Sequence, residues 1–241
     1  SWVGLQLHYC REQPLKQPSS IENQTTAMNL KKILQAITGA AVILSLPACN
    51  GIFEDIYDKP SSETGNEYGF IIVDEETRTG RIYINATDYT EWHYVDLHAK
   101  QVTTVAVDGA APESWDFAVH RYDTKTNSGM VWDSSSNSFD MLPAPETIPD
   151  EEFISDEWTT DRITIDMSQM MDGVIIYAED YWNPCLSRWL DVDTSTMPPI
   201  YTLSGKVYVL KLSNGDYAAL KLTNFMNDAA VKGYMTIDYL Y

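Results

Sequence analysis

The chain has 241 residues, 16 of them basic and 35 acidic, for a formal charge of −19. A surface this acidic repels nucleic acid and anionic lipid, which excludes both as expected partners. Three cysteines are too few for a disulfide framework, so the fold has to be held by its apolar core.

Taken in chain order, residues 1–27 show no strong periodicity and read as an upstream extension outside the native protein. Met28-Asn-Leu-Lys-Lys32 is a basic n-region, residues 33–45 are an apolar run, and Leu46-Pro-Ala-Cys49 closes it with small residues. This is a secretory signal, shorter than the about 20 apolar residues that span a bilayer. Its ending resembles the lipobox of bacterial lipoproteins. That resemblance implies lipidation of Cys49 and removal of residues 28–48, leaving the protein anchored to a membrane by lipid. Residues 1–48 hold four basic and two acidic residues, so the processed chain carries −21. Residues 49–66 are rich in Asp, Glu, Ser, Pro and Gly and read as a flexible tether. Residues 67–241 fit one domain.

Beyond the tether, strand patterns dominate. β-branched and aromatic runs predict strands over 68–73, 81–85, 92–97, 102–107, 115–123, 162–166, 174–177, 201–212, 216–222 and 234–241. Ser213-Asn-Gly215 between two alternating runs is the strongest hairpin signal. Residues 140–160, acidic and Pro-rich, predict a long surface loop, and residues 223–230 a short helical turn. The expected architecture is all-β, a sandwich or partly open barrel of antiparallel strands.

Candidate chemistry is sparse. His93 and His98 stand five apart, which on a strand places them on opposite faces and leaves no joint metal site. No Gly-x-Ser-x-Gly elbow occurs, and Cys185 has no His near it in sequence, so an enzyme is not expected. Met167, Met170 and Met171 cluster beside Asp172-Gly173, and Met197 stands before Pro198-Pro199. Both segments read as loops or strand ends. Two readings stand for these methionines: gap-filling in an irregular interior, or a soft, apolar mouth for a flat ligand whose iron thioether sulfur can hold.

Five segments, in order, carry a resemblance. They are Ile82-Tyr-Ile-Asn-Ala-Thr-Asp-Tyr-Thr-Glu-Trp92, Trp115-Asp-Phe-Ala-Val-His-Arg-Tyr-Asp123 with Thr126-Asn127, Trp189-Leu190, Tyr201 through Leu210, and Asn214 through Leu222 leading to Gly233-Tyr-Met-Thr-Ile-Asp-Tyr239. The chain resembles the HmuY-like family of haem-binding outer-membrane lipoproteins. The resemblance implies an antiparallel β fold whose two long loops clamp haem, and delivery of that haem to a TonB-dependent receptor at the outer membrane. It also implies a departure. The two iron-binding histidines of the family's founding member fall on Val174 and Thr194, and no histidine follows His120. Met170 or Met171 beside the first position and Met197 beside the second are then the expected iron ligands. Val174, Thr194 and Trp189 are expected in the pocket, with Lys206 or Arg188 near the propionates. His120 is expected to be a core histidine bonded to Asp123 or to backbone. The alternative is a glycan-binding β-domain that uses Trp182 and Trp189 as stacking surfaces.

Overall fold

A computed structural model of the protein describes residues 62–241. The lipidation site Cys49, the signal at 28–48, the extension at 1–27 and most of the tether lie outside the described residues. The end of the tether does not: β1 (Ser62–Glu63) already pairs with β2 (Gly69–Asp74). Strand pairing is thus present within the segment that composition assigns to the tether.

Two antiparallel sheets form a sandwich. The first has eight strands in the order β1-β2-β3-β16-β15-β14-β8-β9. It comprises β1 and β2 with β3 (Thr79–Asn85), β16 (Lys232–Leu240), β15 (Tyr217–Met226), β14 (Tyr208–Lys211), β8 (Met130–Asp133) and β9 (Ile154–Ser155). The second has the order β5-β4-β6-β7, from β4 (Glu91–Asp96), β5 (Gln101–Ala106), β6 (Phe117–His120) and β7 (Asp123–Thr126). Gly233, Met235, Ile237 and Tyr239 alternate inward along β16, the period expected of a strand with one covered face. Met235, Ile237 and Tyr239 meet Phe70, Ile82 and Ile84 from β2 and β3, and Val95, Phe117 and Val119 from the facing sheet, in the main core.

The Trp115–Asp123 motif is not one strand. Arg121 has φ +54°, and His120 pairs with Asp123, so the chain reverses in a two-residue turn between β6 and β7. Nor does β6 have a wet face. All four of its residues are buried, Phe117 and Val119 in the main core and Ala118 in a second cluster with Trp92, Tyr94 and Ile163. That second cluster forms because another hairpin lies over the outer side of this sheet, so polar and apolar residues alternate between two covered faces.

Other expectations need similar correction. The 140–160 segment is built of three 3₁₀ turns at Phe139–Met141, Pro145–Thr147 and Asp150–Glu152, and then enters strands. Residues 223–226 extend β15, followed by a turn whose Asn227 side chain accepts from the Ala229 and Val231 amides. The 201–212 run breaks at Gly205 (φ +66°) into two strands of different sheets. The Ser213-Asn-Gly215 hairpin forms as expected, with Gly215 at φ +91° and the Leu212 amide donating to Asp216 O at 2.8 Å.

Gly80 is a tight point in the first sheet. A Cβ there would press on the Ile72 carbonyl oxygen and on the ring of Tyr239, which is itself buried. Since backbone forms one wall, Gly80→Ala is expected to cost about 1–3 kcal/mol by overpacking. Chemical denaturation checks this; an unchanged midpoint would contradict the packing described.

Candidate functional site

Two further hairpins stand apart from the sandwich sheets. The first pairs β10 (Glu157–Asp166) with β11 (Ile176–Trp182), with register shifts after Thr159 and Thr164. Its base is seated by Ile163 in the second core cluster and by an ion pair from Lys125 of β7 to Asp180 at 2.7 Å. Lys125 Nζ also lies 4.2 Å from the Trp92 ring centroid, a cation–π contact in a mostly buried place. The second hairpin pairs β12 (Leu190–Asp193) with β13 (Ile200–Leu203). It follows the 3₁₀ turn Leu186–Trp189, which buries Leu186 and Trp189 in the main core.

The connecting loops carry the methionines. Met170–Asp172 forms a 3₁₀ turn closed by Gly173 at φ +77°, a left-handed position that glycine adopts without steric cost. Asp166 Oδ1 accepts from the Ser168 amide at 2.7 Å and starts this loop. In the other loop, Asp193 Oδ1 accepts from the Ser195 amide at 2.9 Å, and Thr196 Oγ1 donates to Pro198 O at 3.1 Å. Met170 is 36 % exposed, Met171 88 % and Met197 75 %. These side chains pack into no interior, so gap-filling does not explain them.

Between the hairpins lies a cleft of about 670 Å³, within the about 300–1,000 Å³ typical of ligand sites. Thr164, Tyr177 and Trp182 line it from the first hairpin, Val192 and Thr194 from the second, and Tyr122 and Asp123 from the β6–β7 turn. Arg162 and Arg188 bring two cations to it, and Asp161 and Asp191 join Asp123 as carboxylates in the lining. Of the residues singled out in the sequence, Trp182, Arg188 and Thr194 line the cleft, whereas Met170, Met171 and Met197 stand on the loops outside its lining. Val174 is exposed at the loop before β11, outside the lining.

Besides Val174, two further expectations fail here. Trp189 has no exposed surface, and its Nε1 donates to Tyr122 O at 3.0 Å, so it can neither face a ligand nor stack on a sugar. Its apolar area is spent in the core. Lys206 is paired with Asp133 at 2.7 Å and does not line the cleft. Sequence reasoning missed Arg162, Tyr122 and Tyr177. Arg162 stands in a strand that alternation had marked, but only the packing of that hairpin decides which side faces the cleft.

None of the three described histidines lines the cleft. His120 is fully buried and its Nε2 lies 2.7 Å from the Tyr89 carbonyl, the backbone partner anticipated; Asp123 is not its partner. His93 is buried on β4, whereas His98 is exposed in the turn after it. Burial also pushes the Cys185 thiol up to about 11, far from a reactive thiolate. Among the described residues, no group of three or more His, Cys, Asp or Glu side chains could hold a metal ion.

Tyr122 and Asp123 form the titratable floor. Burial, then its hydroxyl contact with Tyr201 at 3.1 Å, pushes the Tyr122 phenol well above its usual range. Burial pushes the Asp123 carboxyl up to about 7, against the opposing charge of Arg162 and the nearby Trp182 indole. An aspartate in the unfolded chain titrates near about 3.9. The folded state thus favours the protonated acid, and the stability this provides is full below pH about 4 and lost as pH rises to about 7. Asp123→Asn, which keeps the shape without the charge, is expected to gain stability over the wild type progressively across that interval and to level off above it. Urea midpoints of both proteins against pH measure this; a gain independent of pH would contradict it.

With this geometry in hand, comparison with known proteins is specific. The family model described as HmuY protein matches residues 88–239. A solved structure from Bacteroides vulgatus, provisionally described as an HmuY-like haem-binding protein, is 52 % identical, with a TM-score of 0.68 over 73 % of this chain and 98 % of that one. One from Bacteroides fragilis, provisionally described as a lipoprotein, is 45 % identical, with a TM-score of 0.69 over 74 % and 97 %. The apo HmuY analog of Tannerella forsythia, at 24 % identity and a TM-score of 0.57 over 67 % and 94 %, shares the fold. No curated protein matches the chain. The five segments in order, the sandwich with its two projecting hairpins and the family match over most of the described domain lead to one conclusion: the chain belongs to the HmuY family.

Proposed function

We propose that the protein is a non-enzymatic carrier that binds haem in the cleft between the two hairpins, with Met170 or Met171 from one loop and Met197 from the other as axial iron ligands. The carrying observation is that each hairpin flanking a ligand-sized cleft ends in exposed methionine. The donor set fits the cargo. Thioether sulfur is a soft ligand that favours reduced iron. Tyr177, Trp182 and Val192 offer flat apolar surface for the porphyrin, and Arg162 and Arg188 give its anionic propionates local cations on a strongly acidic protein. Thr194 lines the cleft and Val174 lies at its loop, in positions where an imidazole would otherwise compete for iron.

Burial of several hundred Å² of apolar porphyrin surface provides on the order of 10 kcal/mol gross, part of which is lost to association entropy. Weak axial bonds on exposed loops suit a carrier that has to release its cargo. In this reading residues 28–48 are removed, Cys49 is acylated, and residues 49–61 tether the domain to the outer membrane, where it hands haem to a TonB-dependent receptor. The lipoprotein description of the Bacteroides fragilis relative supports the anchor, and the haem-binding description of the Bacteroides vulgatus relative supports the cargo.

Titration of the chain with ferrous and with ferric haem, followed in the Soret band, tests this reading. Saturable binding is expected with both, tighter for the ferrous form. No spectral change in either oxidation state would overturn it.

A further inference from the structure

A second cleft, of about 530 Å³, shares no lining residue with the first. It runs between β2 and β3 of the large sheet and β4 and β5 of the small one. On one side Tyr68 and Tyr83 stand as a stacked pair, ring centroids 5.5 Å apart and 15° from parallel, and Tyr234 extends the row at 6.1 Å. Tyr68 ends the row and is 42 % exposed, so aromatic surface remains for a ligand. On the other side are Glu91 and Gln101, with Asn66 at the rim.

Asn85 in this lining is engaged, its Oδ1 accepting from the Thr87 amide and hydroxyl, but three other polar side chains are not. The side chains of Asn66, Glu91 and Gln101 engage in no hydrogen bond or ion pair among the described residues. Below them, His93 is 5 % exposed, with Nδ1 at 2.9 Å from Thr104 Oγ1 and a buried Nε2 that has no partner. Burial holds this imidazole neutral, its pKa pushed down to about 4. The single cation of the lining, Lys100, is turned onto aromatic rings, its Nζ 4.8 Å from the Tyr239 centroid and 5.1 Å from that of Tyr241. The first cleft sets two arginines beside three aspartates, Asp123, Asp161 and Asp191; this one has an aromatic row, planar amides, a carboxylate and no cation free to meet an anion.

That is the chemistry of sugar recognition. A pyranose presents a C–H face that lies on an aromatic ring, and hydroxyls that each donate and accept. Amide and carboxylate side chains answer such hydroxyls with donors and acceptors in one plane. A formal charge of −19 on the chain disfavours sialylated or sulfated sugars. We propose that this cleft binds a neutral oligosaccharide, with a sugar ring on Tyr68 and its hydroxyls bonded by Asn66, Glu91 and Gln101. The proposal is independent of haem binding: the two clefts share no residue, and each is tested without the other.

The chain would be applied to an array of short neutral oligosaccharides of glucose, galactose, mannose and N-acetylglucosamine, with sialylated and sulfated counterparts beside them. The strongest neutral binder would then be titrated calorimetrically into the wild type and into Tyr68→Ala and Gln101→Ala. Both positions are exposed, and unchanged melting temperatures would verify the fold. Saturable binding to a neutral member, weakened about tenfold or more in each variant, is the expected result. An array without a neutral binder, a preference for the anionic members, or binding that both variants retain would overturn the proposal.

Discussion

Replacing Met170, Met171 and Met197 together with alanine is expected to abolish the Soret signature of axially ligated haem while leaving the melting temperature near that of the wild type. The two halves of this expectation have separate causes. The methionines are exposed on loops, and substitutions at exposed positions away from caps and strained sites usually change stability by no more than about 0.5 kcal/mol. Their loss to haem should be large. Groups that merely orient a metal ligand are worth about 10–100-fold in metal affinity, so removing the ligands themselves is expected to cost about 100-fold or more for ferrous haem. Ferric haem should lose less, because the thioether bonds contribute less to it. Met197→Ala alone should leave a five-coordinate spectrum, since one hairpin still presents a sulfur. Undiminished affinity in the triple variant would exclude methionine ligation, whatever else the cleft does.

Trp189→Ala is expected to behave in the opposite way, lowering stability severely. The indole is fully buried in the main core and donates to Tyr122 O, and Trp189 O accepts from the Ser204 amide at 2.9 Å. Loss of a core tryptophan costs about 3–5 kcal/mol, and the abandoned Tyr122 carbonyl adds about 1 kcal/mol. Against a total stability of about 5–15 kcal/mol this is a large share. For a domain of this size the cavity cost alone corresponds to a drop of roughly 6–20 °C in melting temperature. Trp189 lies just before β12, so haem affinity should fall as well, through a loosened second hairpin. A variant that melts like the wild type yet loses haem would instead mark Trp189 as a pocket residue, contrary to its burial.

The contrast between these substitutions shows what the sequence could and could not disclose. Alternation of Met235, Ile237 and Tyr239 along β16, and the Ser213-Asn-Gly215 turn, are local patterns with local causes, and they predict the sheet and its strongest hairpin. The Trp115–Asp123 motif misleads for a physical reason. Period-two alternation distinguishes two faces of a strand but not whether both are covered, and here the β10–β11 hairpin covers the outer one. The same layering hides Trp189: an aromatic beside a vacated ligand position looks like a pocket wall until the 3₁₀ turn that carries it is seen to plug the core. The methionine loops were legible because exposed methionine is unusual chemistry in a loop. Arg162, Tyr122 and Tyr177 were not, since their convergence on one cleft depends on contacts between segments tens of residues apart. The tyrosine row beside the second cleft escaped for the same reason, as Tyr68, Tyr83 and Tyr234 meet only through the pairing of β2, β3 and β16.

Acid–base behaviour ties the fold to the cleft. His93, held neutral by burial, has a folded pKa below its unfolded value, so the stability it provides is present above pH about 6.5 and lost as pH falls towards about 4. Asp123 works in the opposite sense over nearly the same interval. The wild-type profile blends the two, and for that reason the Asp123→Asn difference is the informative quantity.

The most direct measurement is iron K-edge X-ray absorption of the chain loaded with ferrous haem. Two hairpin loops supplying Met170 or Met171 and Met197 require sulfur scatterers in the iron's first coordination sphere, in addition to the four porphyrin nitrogens. Their presence in the wild type, and their loss in the triple alanine variant, is the expected result. A loaded wild-type protein whose iron sees only nitrogen and oxygen would contradict methionine ligation directly.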